Sequence, residues 1–346
     1  MNRRILALLT TAAIVAGSTT TAAAPAQAAT SKDFVPQTIF APHIAEKNEP
    51  AVPQNVVPVG SVDLEMAAGQ TAWVLSVMHA NDATQRSLFD NEIVCKLPDG
   101  TSKNAVIGQN VYERTHPAKE WTDVNLATRY LVQSPTAGKV TCTANVRSHS
   151  LMVGVDATYR LVGGRIWIAD QNVGNATDGK PLQQSPEVGS LAKVDSTSIA
   201  RVPALDTFDL PAGYKTLSVF GETQYQICFS VPPCRNDQYG SSTAQFTLII
   251  NQWKLDGGLC QTSQTTSRTE TYPYYVHHAY VPLNKGDFAI STAPGCIPRF
   301  NAYVRVDWKG GDTGGVQGGA RGLNDTFEGT TTHRADMSHV FVIPLH

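Results

Sequence analysis

The sequence predicts an all-β chain of two β-sandwich domains, jelly-roll or Ig-like, stapled by disulfides. Three observations carry this. Short runs with an apolar residue at every second position recur along the chain, and no stretch keeps a helical period over three turns. The 35 threonines, 27 glycines and 20 prolines supply strand formers and turn breakers. Six cysteines, an even number, fit a disulfide framework. With 346 residues, 42% of them hydrophobic, the chain can bury two cores and is not intrinsically disordered. Only 16% are charged and the formal net charge is −2, which argues against a basic nucleic-acid surface or a polybasic membrane anchor.

Residues 1–28 read as a secretory signal peptide. Arg3 and Arg4 give the positive start, Ile5 to Gly17 the apolar stretch, and Ala26-Gln27-Ala28 the small-x-small cleavage site. The stretch is shorter than the roughly 20 apolar residues of a membrane span, and no second run of that length follows. The expected location is therefore secreted and extracellular, without membrane insertion. Residues 29–58, punctuated by Pro36, Pro42, Pro50, Pro53 and Pro58, read as an extended lead-in.

The first sandwich is expected over 59–169. Val62 to Met66 alternates apolar and polar, and Trp73, Leu75 and Val77 share one side. In Lys139 to Arg147, Val140, Cys142, Ala144 and Val146 face one way while Thr141, Thr143, Asn145 and Arg147 face the other, so Cys142 points inward. Tyr159 to Ala169 closes this domain. Residues 170–200, dominated by Asn, Gly, Asp, Ser, Pro and Gln, read as a linker. The second sandwich is expected over 201–346. Its clearest strands are Phe246 to Trp253, Phe300 to Trp308 and His339 to Leu345. In Phe300 to Trp308, Asn301, Tyr303, Arg305 and Asp307 share the polar face. The glycine-rich stretch 309–322 reads as a flexible hairpin extension or a mobile cover.

The two halves hint at duplication. Met66-Ala67-Ala68-Gly69 and Leu210-Pro211-Ala212-Gly213 each precede a strand, and Cys142 to Val146 resembles Cys296 to Val304. Two copies of one sandwich explain this, and so does chance similarity between β-rich segments. Pairing cysteines with their neighbours along the chain gives Cys95–Cys142, Cys228–Cys234 and Cys260–Cys296, one of fifteen connectivities. Each long loop so closed is worth roughly 4 kcal/mol.

The leading functional candidate is the aromatic run 272–280, where Tyr272, Tyr274, His278 and Tyr280 would line one face of a strand. Flat rings with a polar edge suit the apolar faces of sugars. This points to a noncatalytic binding protein for glycan or cell-wall polymer. Tyrosines that merely pack a strand give the same pattern. One alternative is an extracellular hydrolase with carboxylates from separate strands, for which Glu222, Glu270 and Asp287 are conceivable. Another is a protein-partner role such as a protease inhibitor, presenting the proline-stiffened loop from Cys228 to Cys234. His333, Asp336 and His339, with His346 beyond, would act together only if a turn made them converge. No metal or cofactor is expected. Gly174 to Lys180 approaches a phosphate-binding loop, but Pro181 stands where Ser or Thr must be. The sequons Asn175-Ala176-Thr177 and Asn324-Asp325-Thr326 mark surface loops. The chain carries neither G-x-S-x-G nor H-E-x-x-H, so the reading leans away from an enzyme.

Overall fold

The computed structural model describes residues 31–346 except 51, 118, 185–190, 228–239, 265–266, 274–275, 277 and 318–337. The signal-like segment and the expected Cys228–Cys234 bridge lie outside the described residues.

The first nine strands are β1 (Ser31–Asp33), β2 (Gln37–Ala41), β3 (Asn55–Met66), β4 (Thr71–Asn81), β5 (Ser87–Lys96), β6 (Ser102–Val111), β7 (Asp123–Gln133), β8 (Gly138–Ser150) and β9 (Ala157–Asp170). They form two antiparallel sheets, one ordered β2-β9-β4-β7 with β1 also on β9, the other β3-β8-β5-β6. Between them lies a core that includes Phe89, Ile93, Leu126, Val140 and Tyr159. The next strands are β10 (Gln183–Gln184), β11 (Leu191–Val194), β12 (Ala200–Asp209), β13 (Thr216–Gln226), β14 (Ser241–Lys254) and β15 (Leu259–Gln264). They are followed by β16 (Arg268–Pro273), β17 (Ala279–Ala289), β18 (Cys296–Gly311), β19 (Gly314–Gln317) and β20 (His339–Leu345). Here one sheet runs β10-β20-β13-β17 and the other β12-β18-β14-β15. A second core includes Tyr225, Phe246, Leu248, Phe300 and Val304.

The strand order repeats position for position: β2, β3, β4, β5, β6, β7, β8 and β9 correspond to β10, β12, β13, β14, β15, β17, β18 and β20. Eight strands in two sheets of this order make a jelly roll. The two turns singled out in the sequence are equivalent, joining β3 to β4 and β12 to β13, and both turn on a glycine with positive φ, Gly69 and Gly213. The stretches that follow Cys142 and Cys296 likewise lie on equivalent strands, β8 and β18. Two expected disulfides are formed. Cys95 lies directly opposite Cys142 across β5 and β8, and Cys260–Cys296 ties β15 to β18 around β14.

Three segments differ from expectation because they carry pairing the composition hid. The expected lead-in supplies β1 and β2, both paired with β9. The expected linker supplies β10 and β11 and buries Leu182 and Val194 in the second core. Asn175 in the same segment donates to the Gly69 carbonyl and accepts from Thr71, so that sequon asparagine is held against the first sandwich. The described part of the glycine array is not a mobile cover. Gly310 and Gly311 end β18, and Gly314 to Gln317 is β19, paired on both sides with β11 and β13. Glycine is needed there for closeness: a Cβ on Gly314 would sit 1.8 Å from the Tyr225 hydroxyl. Gly314→Ala is therefore expected to cost roughly 1–3 kcal/mol through overpacking, seen as a lower denaturant midpoint. An unchanged midpoint would show that β19 can shift aside.

Candidate functional site

The aromatic run does not form one exposed face. Pro273 ends β16 in one sheet and Ala279 begins β17 in the other, so the chain crosses between sheets in the middle of the run. Tyr272 turns into the second core, against Trp121 and Tyr225. His278 is buried and Tyr280 half-buried, while Tyr274 lies outside the described residues. The physical reason is that the β13–β17 sheet is covered on both sides, by its own core and by the first sandwich.

That second cover is a junction with an apolar half and a polar half. Alternate residues of β13 face it: Phe220, Glu222 and Gln224, all facing away from the core side that holds Leu217, Val219 and Tyr225. In the apolar half, Phe220 stacks on Phe341 with ring centroids 4.8 Å apart, beside Trp73, Leu131, Val173 and Ile343. In the polar half, Arg129 of β7 donates to Glu222 Oε1 and to the Tyr280 hydroxyl. Tyr280 can donate to Glu222 (3.0 Å) or to the Ala127 carbonyl (3.1 Å). His339 Nε2 lies 2.6 Å from the other oxygen of Glu222. Burial alone would push the Glu222 carboxyl up, but His339 and Arg129 outweigh it and hold the group below its ordinary value. Burial drives the Tyr280 hydroxyl well above its ordinary range.

Further along, the Gln224 side-chain amide donates to the Gly108 carbonyl (3.1 Å) and to His278 Nδ1 (2.8 Å). His278 and Asn110 exchange a pair of bonds across the junction. Asp90 of β5 lies over Gly108, where a Cβ would be 1.9 Å from its Oδ1. Burial raises the Asp90 carboxyl to about 8; Arg147 opposes this, but Arg147 donates to Glu92 instead. The three acids considered for hydrolysis share no site. Glu222 is sealed in the junction, Glu270 pairs with Arg268 on β16, and Asp287 is exposed on β17. His339 is buried beside Glu222, whereas exposed His346 stacks on Tyr214, and His333 and Asp336 lie outside the described residues.

The polar face of β14 and β18 has a different character. Ala302, Val304 and Val306 enter the core, leaving Asn301, Tyr303, Arg305 and Asp307 on the outside of the sheet. Register sets Asn301 against Asn251, Tyr303 against Ile249 and Arg305 against Thr247. A chain of side-chain bonds fixes the amides: Thr262 donates to Asn251 (2.5 Å), Asn251 donates to Asn301 (3.2 Å), and the Trp253 indole donates to the same Asn301 oxygen (3.1 Å). Trp253 and Tyr303 are half-buried. From Trp253 to the level of Arg305 is about 20 Å along the strands. The sequence showed that Asn301, Tyr303, Arg305 and Asp307 share a face. It gave no sign that this face, rather than the tyrosine run, stays on the outside.

No protein-family model matches the chain, and the search of curated proteins finds no match. Among solved structures it is similar to the N-terminal CBM22-1–CBM22-2 tandem domain of Paenibacillus barcinonensis Xyn10C. That likeness has 12% identity, covers 81% of this chain and 82% of that one, and has a TM-score of 0.24. It is also similar to a structure of infectious bursal disease virus, Gx strain (12% identity, 92% and 78% covered, TM-score 0.23). PNGF-II is a third (9% identity, 90% and 66% covered, TM-score 0.27). At these TM-scores the likenesses bear on neither ligand nor activity.

Proposed function

We propose that the chain is a noncatalytic binding protein acting outside the cell, and that it holds glycan on the outer face of β14 and β18. The observation that carries this is the Trp253 ring beside an amide ladder, Asn251 and Asn301, already fixed by hydrogen bonds. A flat ring offers a platform to the apolar face of a sugar, and pre-oriented amides meet its hydroxyls without further ordering cost. The disulfides Cys95–Cys142 and Cys260–Cys296 fit an oxidising compartment. Among the described residues no helix is long and apolar enough to cross a membrane.

The test is retention of the purified chain on insoluble polysaccharides and cell-wall preparations, with released soluble sugar assayed in parallel. Retention without release is expected, and Trp253→Ala is expected to weaken it by about tenfold. The variant should keep the fold with a modest loss of stability, since the ring is only half-buried and gives up one hydrogen bond. Retention that Trp253→Ala leaves unchanged would move the site elsewhere, and sugar release would replace binding with hydrolysis.

A further inference from the structure

We infer that this face selects acidic saccharides, with a sugar carboxylate received between Arg201 and Arg305. The inference rests on the glycan reading above and narrows its ligand class. Arg201 of β12 and Arg305 of β18 are direct cross-strand partners. Like charges placed opposite one another weaken a sheet, so the pairing needs a compensating anion. Asp307 supplies one: its Oδ1 accepts from Arg305 Nε (2.9 Å) and Nη2 (2.7 Å). That carboxylate balances one of the two guanidinium groups. Arg201 is exposed, and its charged end lies over the Tyr303 ring, 5.7 Å from the centroid.

The ring restrains the planar guanidinium by a cation–π contact, and Arg201 itself is exposed to solvent. A guanidinium fork is matched in shape and charge to a carboxylate. Trp253 lies on the same face, beyond Asn301. An oligosaccharide running along the strands would therefore rest one ring on Trp253, meet the amides, and place a uronate carboxylate at Arg201. The formal charge of the whole chain is −2, so this local excess of positive charge runs against the average of the molecule.

The test compares polygalacturonate, alginate and hyaluronate with the same polymers after their carboxylates are reduced to alcohols. Wild type, Arg201→Gln and Trp253→Ala are each measured at low and at high salt. The expected result is at least about tenfold tighter retention on a carboxylate polymer than on its reduced form. Salt should erode that advantage, Arg201→Gln should abolish it, and Trp253→Ala should weaken binding to both forms. Equal retention on both forms, lost in Trp253→Ala, would overturn the acidic selectivity and leave the glycan reading standing. An acidic preference that persists in Arg201→Gln would also overturn the inference. Retention on none of these materials or on cell-wall preparations would overturn both.

Discussion

Replacing Asp90 with asparagine is expected to stabilise the protein at neutral and alkaline pH. The carboxyl is buried and its ordinary value of 3.8 is raised to about 8, so it stays protonated in the folded state while the unfolded chain ionises. The sign follows from proton linkage. A raised folded value gives stability that is full below about 3.8 and is lost as pH climbs to about 8. Roughly four pH units at about 1.4 kcal/mol each set a ceiling of about 6 kcal/mol on that loss. Asparagine has nearly the same shape and no charge in either state, so it escapes the loss. Denaturant unfolding at pH 5 and pH 9 should show wild type losing stability between them and Asp90→Asn changing far less. Parallel behaviour of the two proteins would mean that Asp90 is ionised in the fold.

Arg129→Met is expected to act in the opposite direction, by about 3 to 5 kcal/mol at neutral pH. It strips one cation from a carboxylate that is 1% exposed, and an unmatched buried charge is far more costly than a pair replaced whole. Because Glu222 sits below its ordinary 4.5, its stabilising contribution is present above that value and fades as pH falls through the folded one. The gap between wild type and Arg129→Met should narrow as pH falls, because Glu222 deprived of Arg129 takes up its proton at higher pH than the wild-type group does. Arg129→Met combined with Glu222→Gln should recover much of the loss. A gap that stays constant with pH, with no recovery in the double variant, would assign the effect to lost packing of Arg129 over Phe220.

The strands, the two sandwiches and the two expected bridges that fall among the described residues were legible because half-buried strands write their inward face into the sequence at every second residue. Cys142 is the clearest case: alternation alone placed it inward, and Cys95 stands opposite it. The same rule misled at the tyrosine run because it assumes that one face meets water. On β13 and β17 the face away from the core meets the other sandwich, and residues as polar as Glu222 and Gln224 find partners there from β6, β7 and β20. No local pattern distinguishes such a face from a wet one. The glycine array misled for a related reason. Glycine signals freedom when nothing is near, yet at Gly314 it marks the approach of Tyr225. The face at Asn301, Tyr303, Arg305 and Asp307 was readable as a face, but its cross-strand company, Trp253, Asn251 and Arg201, depends on register between strands distant in sequence.

Strand β20 places Val340 and Val342 in the second core while His339, Phe341 and Ile343 enter the junction. Its neighbour β13 is more than a hundred residues earlier, with Ser338 accepting from the Gln224 amide across a separation of 114. A single strand thus completes one sandwich and glues it to the other. Assembly of the second sandwich and its docking become one cooperative event governed by a long-range closure, and such closures fold slowly because chain entropy is lost before contacts repay it. Until β20 pairs, Thr216 to Glu222 of β13 lack their ladder partner on that side, and Phe220 and Glu222 lack Phe341 and His339.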